Sequence, residues 1–264
     1  MYLEQVIDDR GAGTPLVLLH SSLSNRTQWR KLSERLQSEY RVLAIDLYGY
    51  GAGEYPDEPA QFNLAQEAGR IAHITGQRLG EAPFHLIGHS YGGATALRLA
   101  HAQPDRILSL GLYEPVAFHL LERDEQAYQI VQQVYSRLSE LLAADAIAEA
   151  TALFIDFWSA PGTYDRLPAE RQRLLNHHFP KVQLDFNAIL GEHLRAAQYR
   201  NLTMPVCLLR SPESPLPSRR VAEVLEQHLP QVETHWLQGG HMAPISHADT
   251  VNPYWIEFLK RLQE

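Results

Sequence analysis

A serine stands in the most informative motif of the chain. Residues 88–92 read Gly-His-Ser-Tyr-Gly, which is the pattern G-x-S-x-G. The apolar run before the motif predicts a strand and residues 94–100 predict a helix, so Ser90 lies at a sharp turn between them. Glycines at positions 88 and 92 give the backbone the room that this strained turn needs. The motif therefore predicts a nucleophilic Ser90 whose hydroxyl projects above the edge of a sheet.

A nucleophilic serine needs a base to accept its proton, and a histidine near the end of the chain fits that role. His241 lies in Gly-Gly-His-Met, directly after the last predicted strand. Loops that follow parallel strands meet at one edge of a sheet, so His241 would face the edge that carries Ser90. None of the remaining histidines has the spacing of a metal site, and we predict neither a metal nor a cofactor.

The acid that orients this histidine has two candidates. Glu213 lies in the turn after predicted strand 205–209, next to Ser214, which stands where an aspartate would be expected. Glu114 ends the preceding strand, and Pro115 interrupts that strand so that the carboxylate can face the same edge. Both choices keep the order serine, acid, histidine along the chain. We favour Glu114 and keep Glu213 as the alternative.

Acyl transfer through a serine also needs hydrogen-bond donors for the oxyanion of the tetrahedral intermediate. The backbone amide of Tyr91, directly after the nucleophile, is one expected donor, and the amide of Ser22 in the loop after the first strong strand is the other. Ser21 in the same loop and Trp158 are candidates for the substrate pocket. Aromatic residues at helical spacing near Trp158 are also consistent with packing among helices.

Short apolar runs alternate with helical patterns, which predicts an α/β fold: a mostly parallel sheet with helices on both faces. The predicted strands are 16–19, 42–46, 84–87, 107–113, 205–209 and 233–237. This rhythm breaks between 115 and 203, where helices are predicted at 125–142, 145–158, 168–178 and 182–197. We predict that 115–203 is a helical cap inserted in a core of residues 1–114 and 204–264. A second independent domain is the alternative.

Composition limits the possible partners and location. The 264 residues are 45% hydrophobic with a net charge of −8, so we expect a sizeable core and no nucleic-acid surface. The apolar runs are too short to cross a bilayer, and residues 1–9 lack the pattern of a signal peptide. The lone Cys207 lies in an apolar run that predicts packing rather than reactivity. We expect a cytoplasmic protein that acts on a small molecule, while the sequence does not indicate its oligomeric state.

Four segments together resemble the α/β-hydrolase superfamily: His20-Ser21-Ser22, residues 46–53, residues 88–93 and Gly240-His241-Met242. The resemblance covers nearly the whole chain and implies a sheet of the eight-stranded type, a Ser-acid-His triad and a helical cap between the sixth and seventh strands. Only fifteen residues precede Leu16, which leaves room for a shortened or missing first strand. Residues 112–115 and 211–215 resemble a bacterial subgroup with its acid after the sixth strand, which favours Glu114.

The chain departs from the family pattern at two positions. Ser21 stands where the family has glycine in its oxyanion loop, and Gly53 stands where it has serine. Both changes leave the predicted triad intact but bear on the details of the oxyanion loop and the pocket. Because the predicted nucleophile is a serine, the resemblance argues against the aspartate-dependent dehalogenase and epoxide hydrolase reactions of the same fold.

These residues predict a serine hydrolase that cleaves a small to medium carboxylic ester through an acyl-enzyme. The same residues also serve hydrolysis of a carbon–carbon bond, a lactone or a thioester, and cofactor-free perhydrolysis. A ligand receptor of the same fold, which binds in the pocket with little turnover, is an alternative from a different class.

Overall fold

A computed structural model describes residues 3–263, and Met1, Tyr2 and Glu264 lie outside the described residues. Met1 and Tyr2 begin the segment 1–9 that is predicted to lack a signal peptide. Within this range, seven strands form one sheet in the order β1-β3-β2-β4-β5-β6-β7. Strand β1 is antiparallel to β3, and the other neighbouring pairs are parallel. The strands are β1 (Ile7–Arg10), β2 (Thr14–Leu19), β3 (Tyr40–Ile45), β4 (Phe84–His89), β5 (Ile107–Tyr113), β6 (Val206–Arg210) and β7 (Val232–Trp236).

Helices cover both faces of this sheet. Trp29 and Trp255 pack with α2 and α11 on one face, while the larger apolar cluster lies on the other face with α3, α4 and α9. No helix within residues 3–263 is long and apolar enough to cross a membrane. The helices are α1 (Leu3–Val6), α2 (Arg30–Leu36), α3 (Leu64–Leu79), α4 (Tyr91–Ala102), α5 (Gln126–Ala143), α6 (Ile147–Trp158), α7 (Ala169–His178), α8 (Pro180–Leu190), α9 (Leu216–His228), α10 (Ala243–Ser246) and α11 (Ala248–Arg261).

The α/β fold class and all six predicted strands are confirmed, with ends that shift by at most two residues. Strand β1 was not predicted, because its sequence Ile-Asp-Asp-Arg contains no apolar run. It lies at the edge of the sheet, where the Arg41 side chain on β3 pairs with Asp9 at 2.7 Å. The sheet has seven strands in the described range rather than the eight that the family resemblance implies.

The parallel strands bring several loops to one edge of the sheet. His89, Tyr113 and Leu209 are partners at the carboxyl ends of β4, β5 and β6. The residues that follow are joined by backbone hydrogen bonds: the Ser90 amide donates to the Tyr113 carbonyl at 3.0 Å, and the Glu114 amide to the Leu209 carbonyl at 3.1 Å. Consecutive strand ends therefore place residues 90 and 114 side by side.

Helices α5 to α8 and two short 3-10 helices occupy residues 115–203, which contain no strand in the described structure. Three of the four predicted helices lie close to their predicted positions. Helix α6 begins at Ile147 rather than at residue 145, because Asp145 has a left-handed backbone with φ of 58°.

The fourth predicted helix, 182–197, is wrong at both ends. Helix α8 begins at Pro180, whose fixed φ suits the first turn, and ends before Gly191. Beyond it, the Glu192 carboxylate accepts hydrogen bonds from the amides of His193 and Leu194, at 2.7 and 3.1 Å. These local side-chain bonds replace helical ones and turn the chain, and residues 196–201 form a 3-10 helix instead.

Candidate active site

Ser90 occupies the strained turn that the motif predicts. Its backbone has φ of 56°, a left-handed conformation that non-glycine residues rarely adopt. A Cβ atom at Gly88 would lie 2.4 Å from the Gly92 carbonyl oxygen, and one at Gly92 would lie 2.4 Å from the His20 carbonyl oxygen. Both glycines are required because no side chain fits between β4, α4 and the neighbouring loop.

His241 joins Ser90 to Glu114 by two hydrogen bonds. Its Nε2 atom lies 2.9 Å from Ser90 Oγ, and its Nδ1 atom lies 2.8 Å from Glu114 Oε2. Because the carboxylate can only accept, Nδ1 carries the ring proton and Nε2 is free to accept the serine proton. All three side chains are buried. The structure thus brings together the three residues that the sequence proposed as nucleophile, base and acid.

Two further donors hold the Glu114 carboxylate in place. The Ser211 amide donates to Oε1 at 2.7 Å, and the Ser218 hydroxyl donates to Oε2 at 3.0 Å. Glu114 itself has φ of 41°, a left-handed conformation directly after β5. This strained turn and the two donors orient the carboxylate towards His241.

Glu213, the alternative acid, lies elsewhere. Its side chain is exposed, and its carboxylate accepts a hydrogen bond from the Gly239 amide at 2.8 Å rather than from the His241 ring. The Ser211 hydroxyl accepts a second bond from the Gly240 amide at 3.1 Å. The turn after β6 therefore holds the histidine loop by its backbone.

His89 supports the same loop from the other side, a role that the sequence did not reveal. Its Nε2 atom donates to the His241 carbonyl oxygen at 2.8 Å, and its Nδ1 atom accepts from the Gln28 side chain at 3.1 Å. Complete burial holds the pKa of His89 well below its usual value of 6.5, which keeps the ring neutral and suits one donor and one acceptor. Its place inside G-x-S-x-G is the only sequence signal.

The expected oxyanion donors lie where two loops meet. The amides of Ser22 and Tyr91 donate to no acceptor within residues 3–263, whereas the Ser21 amide donates to Gln28 Oε1 at 3.2 Å. His20 fixes this loop, since its Nε2 atom accepts from the Leu47 amide at 3.0 Å and its Nδ1 atom donates to the Ser21 carbonyl at 2.8 Å. Burial lowers the pKa of His20 to about 4, so the ring is neutral.

Trp158, at the end of α6, lies against the candidate base. Its ring stacks on the His241 ring with centroids 3.9 Å apart and planes inclined by 28°. Trp158 is buried and also stacks on Phe118. Residues 115–203 therefore contact the site directly and cover one face of the imidazole.

A cavity of about 300 Å³ opens above Ser90. The two candidate pocket residues, Ser21 and Trp158, both line it, together with Ser90 and His241. Most of the other walls are apolar side chains: Leu23, Phe154, Ile155, Leu167, Leu175, Met242 and Ile245. This size and lining are typical of a site for a small, mainly apolar molecule.

Comparison with known proteins identifies the fold family. The model of the α/β hydrolase fold family matches residues 14–248. This chain belongs to the α/β hydrolase family.

Individual relatives of this α/β hydrolase are distant. A pimeloyl-[acyl-carrier protein] methyl ester esterase from Aliivibrio salmonicida is 25% identical over 90% of this chain and 89% of that protein. A fluoroacetate dehalogenase from a Burkholderia species is 32% identical, but the match covers 42% of this chain and only 37% of the dehalogenase. The crystal structure of a hydrolase from Pseudomonas aeruginosa PA01 superposes with a TM-score of 0.79 at 21% identity, covering 96% and 93% of the two chains. That structure shares the fold.

A buried charge cluster joins α8 of this α/β hydrolase to its core. Lys181 contacts Asp185 one turn further along α8 and lies 3.4 Å from Glu67 of α3. Asp185 accepts hydrogen bonds from the Ser22 hydroxyl at 2.6 Å and the Tyr50 hydroxyl at 2.5 Å. Burial raises the pKa of both carboxyl groups, and the ammonium of Lys181 opposes that rise. The cluster therefore ties the loop at Ser22 to helix α8.

One group of side chains in residues 3–263 has ligand atoms close enough for a metal ion: Cys207, Glu233 and His235, within 4.8 Å of one another. Burial raises the pKa of the Cys207 thiol, which keeps it protonated and a poor ligand. Glu233 already pairs with Arg261 at 2.5 Å. A protonated thiol and an ion pair account for this group, and we assign it no functional role.

Proposed function

We propose that this α/β hydrolase cleaves small to medium carboxylic esters, with Ser90 as nucleophile, His241 as general base and Glu114 as the acid of the triad. The observation that carries the proposal is the continuous hydrogen-bond path from Ser90 through His241 to Glu114. The Ser90 end of this path lines a mainly apolar cavity. The match with a methyl ester esterase over most of both chains supports the choice of an ester bond.

Acylation begins when Ser90 Oγ attacks the ester carbonyl carbon and its proton passes to His241 Nε2. The charge that develops on the imidazole is stabilised by Glu114 at 2.8 Å. The amides of Ser22 and Tyr91 donate to the oxyanion of the tetrahedral intermediate. Collapse of the intermediate breaks the bond to the alcohol, which leaves with the proton from His241.

Deacylation repeats these steps with water. His241 takes a proton from the water molecule as its oxygen attacks the acyl carbon, and the same two amides hold the second oxyanion. The carboxylic acid is then released, and Ser90 Oγ regains its proton from His241. No metal or cofactor is needed to balance either half of the reaction.

The helical segment 115–203 serves as a cap in this proposal. Trp158 stacks on the imidazole, and the Lys181–Asp185 pair holds α8 on the oxyanion loop through Ser22. A cover of apolar side chains limits the water around the developing charges, which strengthens the hydrogen bonds from the oxyanion donors.

Hydrolysis of aryl acetates by wild type, Ser90→Ala and Ser38→Ala tests the proposal. Ser38 is exposed and far along the chain from the site, so Ser38→Ala is a matched serine control. We expect kcat to fall by a factor of about 10³ or more in Ser90→Ala and to stay within about twofold in Ser38→Ala. Full activity in Ser90→Ala would contradict the proposed role of Ser90 as nucleophile. Stable binding of esters by wild type without product release would instead favour a receptor.

A further inference from the structure

Two cavities of unequal size meet at Ser90. The outer cavity has a volume of about 300 Å³, and an inner cavity has a volume of about 10 Å³. The two cavities adjoin at the proposed nucleophile, because both are lined by Ser22, Ser90, Phe154 and Trp158. A cavity of about 10–15 Å³ accommodates one water molecule, a group close in size to a methyl.

The position of His241 decides which part of an ester enters each cavity. In acylation, His241 Nε2 gives its proton to the oxygen of the leaving alcohol, so that oxygen must lie beside the imidazole. Within the described residues, His241 and Met242 line the outer cavity but not the inner one. The alcohol therefore extends into the outer cavity, and the acyl chain, on the other side of the carbonyl carbon, points into the inner cavity.

The walls of the inner cavity resist expansion. Phe118 stacks in parallel on Trp158 and also lies against Phe186, with ring centroids 6.3 and 6.4 Å away. Phe186 and Ile189, both on α8, are almost completely buried, at 5% and 3% exposure. Close-packed interiors accommodate an extra methylene only by shifting their neighbours, at a cost of about 1–3 kcal/mol. A longer acyl chain would need that shift in every catalytic cycle.

Charge in the inner cavity disfavours an acidic acyl group. Asp185 lines it, and no lysine, arginine or histidine does so in the part of the chain that the structure describes. The ammonium of Lys181, which pairs with the Asp185 carboxylate, is already shared between Asp185 and Glu67. A second carboxylate would thus be buried beside an acidic side chain without a lining cation to pair with it.

From these observations we infer that the preferred substrates are esters of a neutral two-carbon acyl group with a larger, apolar alcohol. This inference rests on the proposed ester hydrolysis at Ser90 and adds the division of substrate between the two cavities. The inner cavity limits the acyl chain to about one methyl group beyond the carbonyl, whereas the outer cavity accepts a ring or a branched chain.

Two ester series test the inference. In the first, the alcohol is fixed as 2-naphthol and the acyl group is acetyl, butyryl, hexanoyl or hemisuccinyl; in the second, the acyl group is acetyl and the alcohol grows from methyl to phenethyl. We expect kcat/KM to fall at least about 100-fold from acetyl to hexanoyl and to hemisuccinyl, which corresponds to about 2.7 kcal/mol. It should rise from methyl to phenethyl acetate. Equal rates for acetyl and hexanoyl esters would overturn the inference.

Two isoleucine variants show which cavity limits the acyl chain. Ile189 lines only the inner cavity and Ile155 only the outer one, so Ile189→Ala and Ile155→Ala are matched. Ile189→Ala should raise the hexanoyl to acetyl ratio of kcat/KM at least tenfold, and Ile155→Ala should leave that ratio unchanged. The smaller change Ile189→Val should move the ratio in the same direction if the alanine variant does not fold. A larger rise of that ratio in Ile155→Ala than in Ile189→Ala would place the acyl chain in the outer cavity and overturn the inference.

Labelling by a small fluorophosphonate separates this inference from the proposed function. A wild-type enzyme that is labelled at Ser90 but prefers long or acidic acyl groups contradicts only the division of substrate. An enzyme that is not labelled and hydrolyses none of the esters contradicts the proposed function and the inference together.

Discussion

Glu114 Oε2 lies 2.8 Å from His241 Nδ1, although 127 residues separate the two in the chain. The proposed acid thus follows β5, whereas Glu213, after β6, accepts from the backbone of the histidine loop at Gly239. The carboxyl ends of β5 and β6 are neighbours in the sheet, so an acid from either strand can reach that loop. Direct contact with the ring distinguishes the two candidates.

Replacing each acid by its amide separates their roles. Glu114→Gln removes the charge that stabilises the imidazolium and permits the wrong tautomer, so kcat should fall by a factor of about 10²–10⁴. Glu213→Gln should change kcat/KM less than about tenfold, because an amide oxygen still accepts from Gly239. Steady-state hydrolysis of one activated acetate by both variants provides the measurement. A larger loss in Glu213→Gln would transfer the acid role to the turn after β6.

The buried ammonium of Lys181 should matter far more for stability than an exposed one. Lys181→Met leaves Glu67 and Asp185 buried without their cation, and breaking such a pair costs about 3–5 kcal/mol of the free energy of unfolding. The control is Lys31→Met, which breaks the exposed Lys31–Asp249 pair and should cost less than about 1 kcal/mol. Urea unfolding followed by circular dichroism measures both. Similar losses in the two variants would show that the cluster does not stabilise the fold.

The stacking of Trp158 on His241 should affect the chemistry and not only the packing. Trp158→Ala leaves one face of the imidazole uncovered and free to tilt, so kcat should fall about 10- to 100-fold. Trp158→Phe keeps an aromatic ring there and should recover most of the loss.

The neighbouring Phe157 packs edge-on against Trp158 and does not line either cavity at Ser90 within the described residues, so Phe157→Ala is the control. Its kcat should stay within about threefold of wild type if the stack on the imidazole is what matters. Equal losses of kcat in the Phe157 and Trp158 alanine variants would mean that general packing of α6 explains the effect.

Local signals explain why much of the site was predictable. The strain at Ser90 requires glycines on both sides, and Pro115 marks the strand end that carries Glu114. His241 stands out because glycines precede it after the last strand. In each case the constraint lies within a few residues of the candidate side chain.

The features that the sequence did not reveal depend on residues far apart in the chain. Lys181 and Asp185 are one helical turn apart, a spacing typical of a solvated surface pair, and the packing of α8 against α3 and other parts of the fold buries them. His89 supports His241 across 152 residues. Strand β1 has no apolar run and forms through pairing with β3.

Buried histidines predict how stability depends on pH. Burial lowers the pKa of His20, His85 and His119 from 6.5 to about 4. Between these values the unfolded chain binds protons that the folded one does not, so the free energy of unfolding falls as the pH falls from 6.5 towards 4. Each such histidine contributes on the order of 1 kcal/mol per pH unit in that window. The raised pKa values of Glu67 and Asp185 have the opposite effect on the free energy of unfolding at the acidic end of this pH window.

Urea unfolding at pH 7 and pH 5 measures this effect, with His119→Gln and His193→Gln as a matched pair. His193 is exposed, so its replacement should leave the pH dependence as in wild type. His119→Gln should reduce the loss of stability between the two pH values by about 2 kcal/mol. An unchanged difference in His119→Gln would mean that this ring does not stay neutral in the folded state.

The most direct test of an activated Ser90 is the rate and stoichiometry of fluorophosphonate labelling, followed by intact mass. Wild type should gain one phosphonyl group rapidly, Ser90→Ala should gain none, and Glu114→Gln should react at least about 100-fold more slowly than Glu213→Gln. This pattern would establish a serine nucleophile activated through His241 and Glu114. The proposed mechanism would be contradicted if the wild-type protein stayed unlabelled. It would also be contradicted if Ser90→Ala were labelled to the same extent as wild type.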